Sequence, residues 1–250
     1  MKIGGALMET FFGHYGNPFE MYSLQHRVAL LVIILILGTV IWFRVHLRKP
    51  GWNRKFRYGL ALLMLLLHIG LHFWYISTGN WTPEQSLPLQ LCTLTLLLSI
   101  LLLLFRNFYL YEFVFFAGTI GALQALITPV LDVAFPHFWY FYFFVGHGGI
   151  VLTAIFMTAV EGFRPTWTSV GRTMLWLNVL MVVVIPVNSY TGANYMFLAR
   201  KPATASLLDF LGPWPWYILS LEVVAFVLCL LLYLPFLLFE RWEQKGKSTY

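Results

Sequence analysis

The 250 residues are 60% hydrophobic, 18% aromatic and only 10% charged, and the mean hydropathy is +0.75. This excludes an ordinary soluble domain, where about a quarter of residues carry charge. A formal net charge of +6 does not point to nucleic acid as a partner, because the basic residues lie in loops beside apolar runs.

Apolar runs of membrane-spanning length recur along the chain. They predict an all-α polytopic membrane bundle forming one domain over 1–250, with about seven transmembrane helices at 24–45, 58–78, 86–105, 109–128, 137–159, 169–188 and 214–239. The first run is preceded by no basic n-region and followed by RVHLRK rather than a cleavage site, so it is expected to be a retained span. Basic residues divide unequally between the two ends of such a bundle. Twelve fall at one end: Arg44, Arg48, Lys49, Arg54, Lys55, Arg57, Arg106, Arg164, Arg172, Arg241, Lys245 and Lys247. Four, Lys2, Arg27, Arg200 and Lys201, fall at the other. The positive-inside rule then predicts a multi-pass protein of the cell membrane with its N-terminus outside and its C-terminus cytoplasmic. Cys92 and Cys229 both lie within apolar runs, which argues against a disulfide framework.

Span one is almost featureless and reads as lipid-facing. Span two carries His68 and His72 at i and i+4, with Tyr75 beside them. Two histidines at this spacing suit zinc only if a third ligand comes from elsewhere, so they are expected to face the bundle interior as supporting residues, with no metal. Span three opens with QSLPLQLCTLTLLLS, where Gln85, Cys92 and Ser99 share one stripe and Thr95 lies beside it. A helix starting near Ser86, with Pro88 in its first turn, places Cys92 about 9 Å along it, beyond the reach of the helix dipole. A base from another helix is then needed to activate the thiol. Span four has Gly118, Gly121 and Ala125 on one side, Gln124 as a buried polar group, and Glu112 able to snorkel to the interface. In span five the ionisable residue near mid-depth is His147, flanked by Gly146, Gly148 and Gly149, so other helices or a substrate can approach the imidazole. Span six offers Asn178 and ends near Asn188. The long loop after it holds Asn194, Tyr195, Arg200, Lys201 and Asp209, and its Ala203–Leu211 part is expected to form a short interfacial helix. A loop of this length in a compact bundle is more often a functional cover than a linker.

Taken together, LPLQLC, GHGG and NYMFLARKPATASLLDFLGPWPWY resemble the YwaF-like family of bacterial integral membrane proteins over spans two to seven. That family looks distantly related to a eukaryotic multi-span acyltransferase that remodels ether phospholipids through a cysteine and a histidine. More remotely, it looks related to membrane hydrolases of fatty-acid esters of hydroxy fatty acids. The resemblance implies Cys92 as nucleophile and His147 as base. It also implies histidine at position 90, where this chain has Gln90.

Two functions follow. The first is a lipid acyltransferase or esterase with a Cys92–His147 pair, no cofactor, and partners that are membrane lipids: an acyl donor, with a lysolipid or water as acceptor. Gln90, Gln124, Asn178, Asn188, Asn194, Tyr195, Arg200 and Lys201 are its candidate substrate-binding residues. The alternative is a non-enzymatic transporter or binder of lipids or small molecules that uses the histidines and the outer loop. Nothing in the chain sets an oligomeric state.

Overall fold

Hydropathy dictates the architecture: each apolar run closes its backbone hydrogen bonds within a helix, since hydrocarbon offers no other partner. The computed structural model describes residues 11–13, 17–202 and 207–247. Lys2 lies outside the described residues, as do the side chains of Arg241, Lys245 and Lys247. The helices are α1 (Leu24–Trp42), α2 (Arg44–Leu47), α3 (Pro50–Ser77), α4 (Leu91–Phe105), α5 (Phe108–Ile127), α6 (Phe138–Ala159), α7 (Trp167–Thr191) and α8 (Trp216–Lys247). Six of them are long and apolar enough to cross a membrane, and α4 is a shorter apolar helix packed among them. The only β pairing among the described residues is an isolated bridge, Pro18–Val133.

α6 is the centre, in contact with α1, α3, α4 and α5, while α7 and α8 pack together beyond α5. Its apolar window is 67% buried, against 11% for α1, which matches the lipid-facing reading of the first span. The glycines around His147 make this centre possible. A Cβ at Gly146 would stand 3.2 Å from Leu96 on α4, at Gly148 3.2 Å from Ile33 on α1, and at Gly149 3.2 Å from Met64 on α3. Each glycine beside His147 therefore admits a different neighbouring helix to α6. Gly118 does the same on α5, inside a π-helical turn at Val114–Gly118, where Thr95 and Ile150 close in.

Two expectations about polar groups change. Glu112 does not snorkel: it is 2% exposed and accepts from Ser169 Oγ and from the Arg172 guanidinium at both carboxylate oxygens, Nε at 2.8 Å. A buried carboxylate needs such a partner. Gln124 is exposed rather than buried, and its amide donates to Thr128 Oγ1 at 2.6 Å, because α5 turns its small residues inward. Of the expected interfacial helix, Leu207–Leu211 forms a 3-10 turn, and residues 203–206 lie outside the described residues.

The close approach at Gly118 is testable. In Gly118→Ala the new methyl would stand 3.0 Å from Ile150 Cγ2 and 3.3 Å from Thr95 Cβ. Overpacking of about 1–3 kcal/mol exceeds the gain in helix propensity of about 1 kcal/mol, so thermal unfolding in detergent should move to lower temperature. Gly171→Ala, with nothing within 4 Å of its Cβ, should not destabilise.

Candidate functional site

The main departure from the sequence reading is where α4 begins. Its first residue is Leu91 and its N-cap is Gln90, so Cys92 stands in the first turn and not in the second. Pro88 ends one local structure instead of opening a helix, because it biases Leu87 away from helical backbone. Residues 82–90 form successive turns. Ser86 N donates to Thr82 O at 2.9 Å, and Leu87 N donates to the Tyr195 hydroxyl at 2.9 Å. With 15 residues, α4 is about 22 Å long, short of the roughly 30 Å hydrocarbon core. Its C-cap, Arg106, pairs with Glu161 among the basic residues of the other end. The shortfall therefore lies at the Cys92 end.

A loop fills it. Asn188, 4% exposed, brackets the backbone of Tyr195: Tyr195 N donates to its Oδ1 at 2.8 Å, and its Nδ2 donates to Tyr195 O at 3.0 Å. The fully buried Tyr195 ring then reaches the turns before α4, its hydroxyl donating to Pro83 O at 2.6 Å while accepting from Leu87 N. Burial pushes this phenol above the ordinary tyrosine range, so it remains a donor. Gln90 Oε1 accepts from Met196 N at 3.0 Å. Asn194 closes the loop on itself through Ala199 N, Arg200 N and Arg200 O. Lys201 lies over the Tyr217 ring, 5.6 Å from its centroid.

Because Gln90 is engaged by the loop, no side chain caps α4. The amide groups of Leu91, Cys92 and Thr93 have no hydrogen-bond partner among the described residues. Three free donors thus share the first turn of α4 with the Cys92 thiol, at the positive end of the helix field. Sequence reasoning missed them because it began the helix five residues early. Cys92 Sγ faces α5, 3.7 Å from where a Cβ on Gly121 would stand. The Tyr142 hydroxyl of α6 lies within interaction range of Thr93, Cys92 and Tyr75.

His147 is half-buried on α6. Its Nδ1 lies 2.6 Å from Phe143 O, and its ring lies against Phe143 with centroids 4.4 Å apart. A carbonyl only accepts, so Nδ1 carries the proton, and in the neutral ring Nε2 is then the basic nitrogen. No hydrogen bond joins His147 to Cys92. His68 is buried with Nδ1 unpartnered, and His72 accepts from Trp81 Nε1 at 3.4 Å. The two rings meet edge to face at 4.8 Å. No group of three or more His, Cys, Asp or Glu residues suited to a metal ion occurs among the described residues. Asn178 is engaged elsewhere, joining α7 to α8 through Glu222 at 3.0 Å.

A family model matches residues 21–233, from the turn before α1 into α8. The chain belongs to the TMEM164 family. The matched region includes Cys92, His147 and the whole loop around Tyr195. Comparison with curated proteins and with solved structures gives no match.

The loop anchor yields a prediction. Tyr195→Phe leaves Pro83 O and Leu87 N without their hydroxyl partner, so it should lower unfolding stability by about 1–3 kcal/mol. Hydrogen exchange should rise at residues 82–90 and leave α6 unchanged; uniform protection would show that the hydroxyl does not hold this segment.

Proposed function

We propose that this multi-pass membrane protein is a lipid acyltransferase or esterase, with Cys92 as nucleophile and His147 as general base. The observation that carries the reading is the first turn of α4, where one thiol and three unpartnered amide donors occupy consecutive residues. Acyl transfer needs that combination: a nucleophile beside donors aimed at developing negative charge on a carbonyl oxygen. The resemblance to YwaF-like proteins, and through them to a cysteine-dependent phospholipid acyltransferase, supports the same assignment. The charge asymmetry supports an outward-facing Cys92 end and a cytoplasmic C-terminus.

In the proposed reaction the Cys92 thiol gives its proton to His147 Nε2 and its sulfur attacks the ester carbonyl of an acyl lipid. The tetrahedral oxyanion is held by the amides of the α4 first turn. Its collapse breaks the ester C–O bond, and the departing lysolipid oxygen takes the proton back from His147. The resulting thioester passes its acyl group to a second lysolipid hydroxyl or to water, with His147 accepting the incoming proton and returning it to the sulfur. The resting protein has no thiol–imidazole hydrogen bond, so substrate binding must bring the two groups into reach, as is common for catalytic contacts that tighten only in the complex.

Incubation with acyl-phospholipid should leave a hydroxylamine-sensitive thioester on Cys92, seen by mass spectrometry. Cys92→Ala should abolish adduct and turnover, and Cys92→Ser should lose most of the activity. His147→Ala should slow adduct formation by about 100- to 10,000-fold. Undiminished acyl transfer by both Cys92 variants would remove the residue from the mechanism.

A further inference from the structure

At the end of the bundle opposite Cys92, the α2–α3 turn, the α4–α5 turn and the α6–α7 turn border an open cavity of about 440 Å³. Arg48, Arg54, Arg57 and Arg106 line it, with Asn53 and Glu161. Four guanidinium groups face one carboxylate, so the cavity holds a net of three positive charges. Most of these side chains also have structural tasks. Arg57 is buried and donates to Leu103 O and Leu104 O, tying α3 to the end of α4. Arg48 donates to Ala159 O and Val160 O at the end of α6, at 3.0 and 3.2 Å. Glu161 accepts from Asn53 Nδ2 at 2.6 Å and pairs with Arg57 at 3.9 Å and Arg106 at 3.5 Å.

What those contacts leave over identifies the occupant. Glu161 is fully engaged and neutralises only one of the four cations. Arg54 makes no hydrogen bond or ion pair with any described residue, and the Arg106 side chain is 53% exposed with a single partner. The first turn of α3 also opens here: Pro50 and Gly51 line the cavity, Lys49 supplies no side-chain cap, and nothing lies within 4 Å of a Cβ at Gly51. Free amides, one guanidinium group without a partner among the described residues, a second held by a single exposed ion pair, and a fixed positive field are the recognition chemistry of a phosphate ester. The volume far exceeds the ~30 Å³ share of one water, leaving room for a headgroup.

Position selects between a free phosphate and a lipid. Trp42, Phe43, Trp52 and Phe105 stand exposed around this end of the bundle, with Trp42 at 80% and Phe105 at 71%. Such residues belong against acyl chains, and Phe105 directly precedes Arg106. We infer that the cavity is a binding site for an anionic phospholipid, whose headgroup phosphate lies between Arg54 and Arg106 over the first turn of α3. The site is separate from the Cys92 end and does not depend on the reaction proposed there.

Native mass spectrometry of the detergent-purified full chain tests this, using phosphatidylglycerol, phosphatidylcholine and inorganic phosphate as probes. The wild type should retain phosphatidylglycerol over phosphatidylcholine, and inorganic phosphate should not displace it. Arg54→Gln and Arg106→Gln should each lower phosphatidylglycerol retention by about fivefold, the worth of one basic group at an anionic headgroup. Lys55→Gln, in the same part of α3 but outside the cavity, should leave it unchanged. Arg54 has no partner to lose among the described residues, so its variant keeps the test clear of folding effects. Equal retention of the two lipids, or an equal loss in Lys55→Gln, would reduce the site to diffuse surface charge. Displacement by inorganic phosphate would make the occupant a soluble anion and overturn the lipid assignment.

Discussion

The structure depends on how backbone polar groups are satisfied where α4 stops short of the membrane surface. A helix of 15 residues cannot span the hydrocarbon, and non-helical backbone at that depth is tolerated only when buried in protein. Tyr195 supplies the link: held at its own backbone by Asn188, it delivers one hydroxyl to both Pro83 O and Leu87 N. Gln90 completes the tie through Met196 N. Without these contacts the 82–90 turns would leave amides and carbonyls unpaired, each a penalty of about 1–3 kcal/mol. The donors left unpaired around Cys92 stand out because their neighbours are so fully satisfied.

Packing holds the rest of the bundle to that geometry. Gly146, Gly148 and Gly149 let α4, α1 and α3 close on α6, and Gly118 and Gly121 let α4 lie against α5 beside Thr95 and Cys92. At the other end Arg57, Arg48 and Glu161 fasten the helix termini to one another, which fixes α4 along its axis. One end of the molecule is thus a charged clamp, and the other a recessed helix start under a loop.

Much of this was legible in the sequence, for physical reasons that differ between elements. The long helices follow from hydropathy, which is local, and the close approach of other helices beside His147 from the glycines that flank it. Asn188, Tyr195 and Gln90 were visible as candidate binding residues, although their joining into one hydrogen-bonded unit was not, since the partners of the Tyr195 hydroxyl lie more than a hundred positions away. The start of α4 was misplaced because Pro88 fits two local rules, first-turn proline and helix breaker. The choice between them is made by a tertiary hydrogen bond to Leu87. Glu112 is buried because its Arg172 partner lies on another helix, and Gln124 is exposed because the small residues of α5 take the inward face.

The central claim is that Cys92 lies half-buried at an uncapped helix start, below turns that the Tyr195 loop holds in place. Its most direct test is the alkylation rate of Cys92 in a Cys229→Ala background, comparing a charged with an uncharged maleimide in lipid nanodiscs. The uncharged reagent should react faster, and Asn188→Ala, which frees the loop, should accelerate the charged reagent selectively. Equal rates for both reagents, unchanged by Asn188→Ala, would place Cys92 at an open aqueous surface and contradict the account.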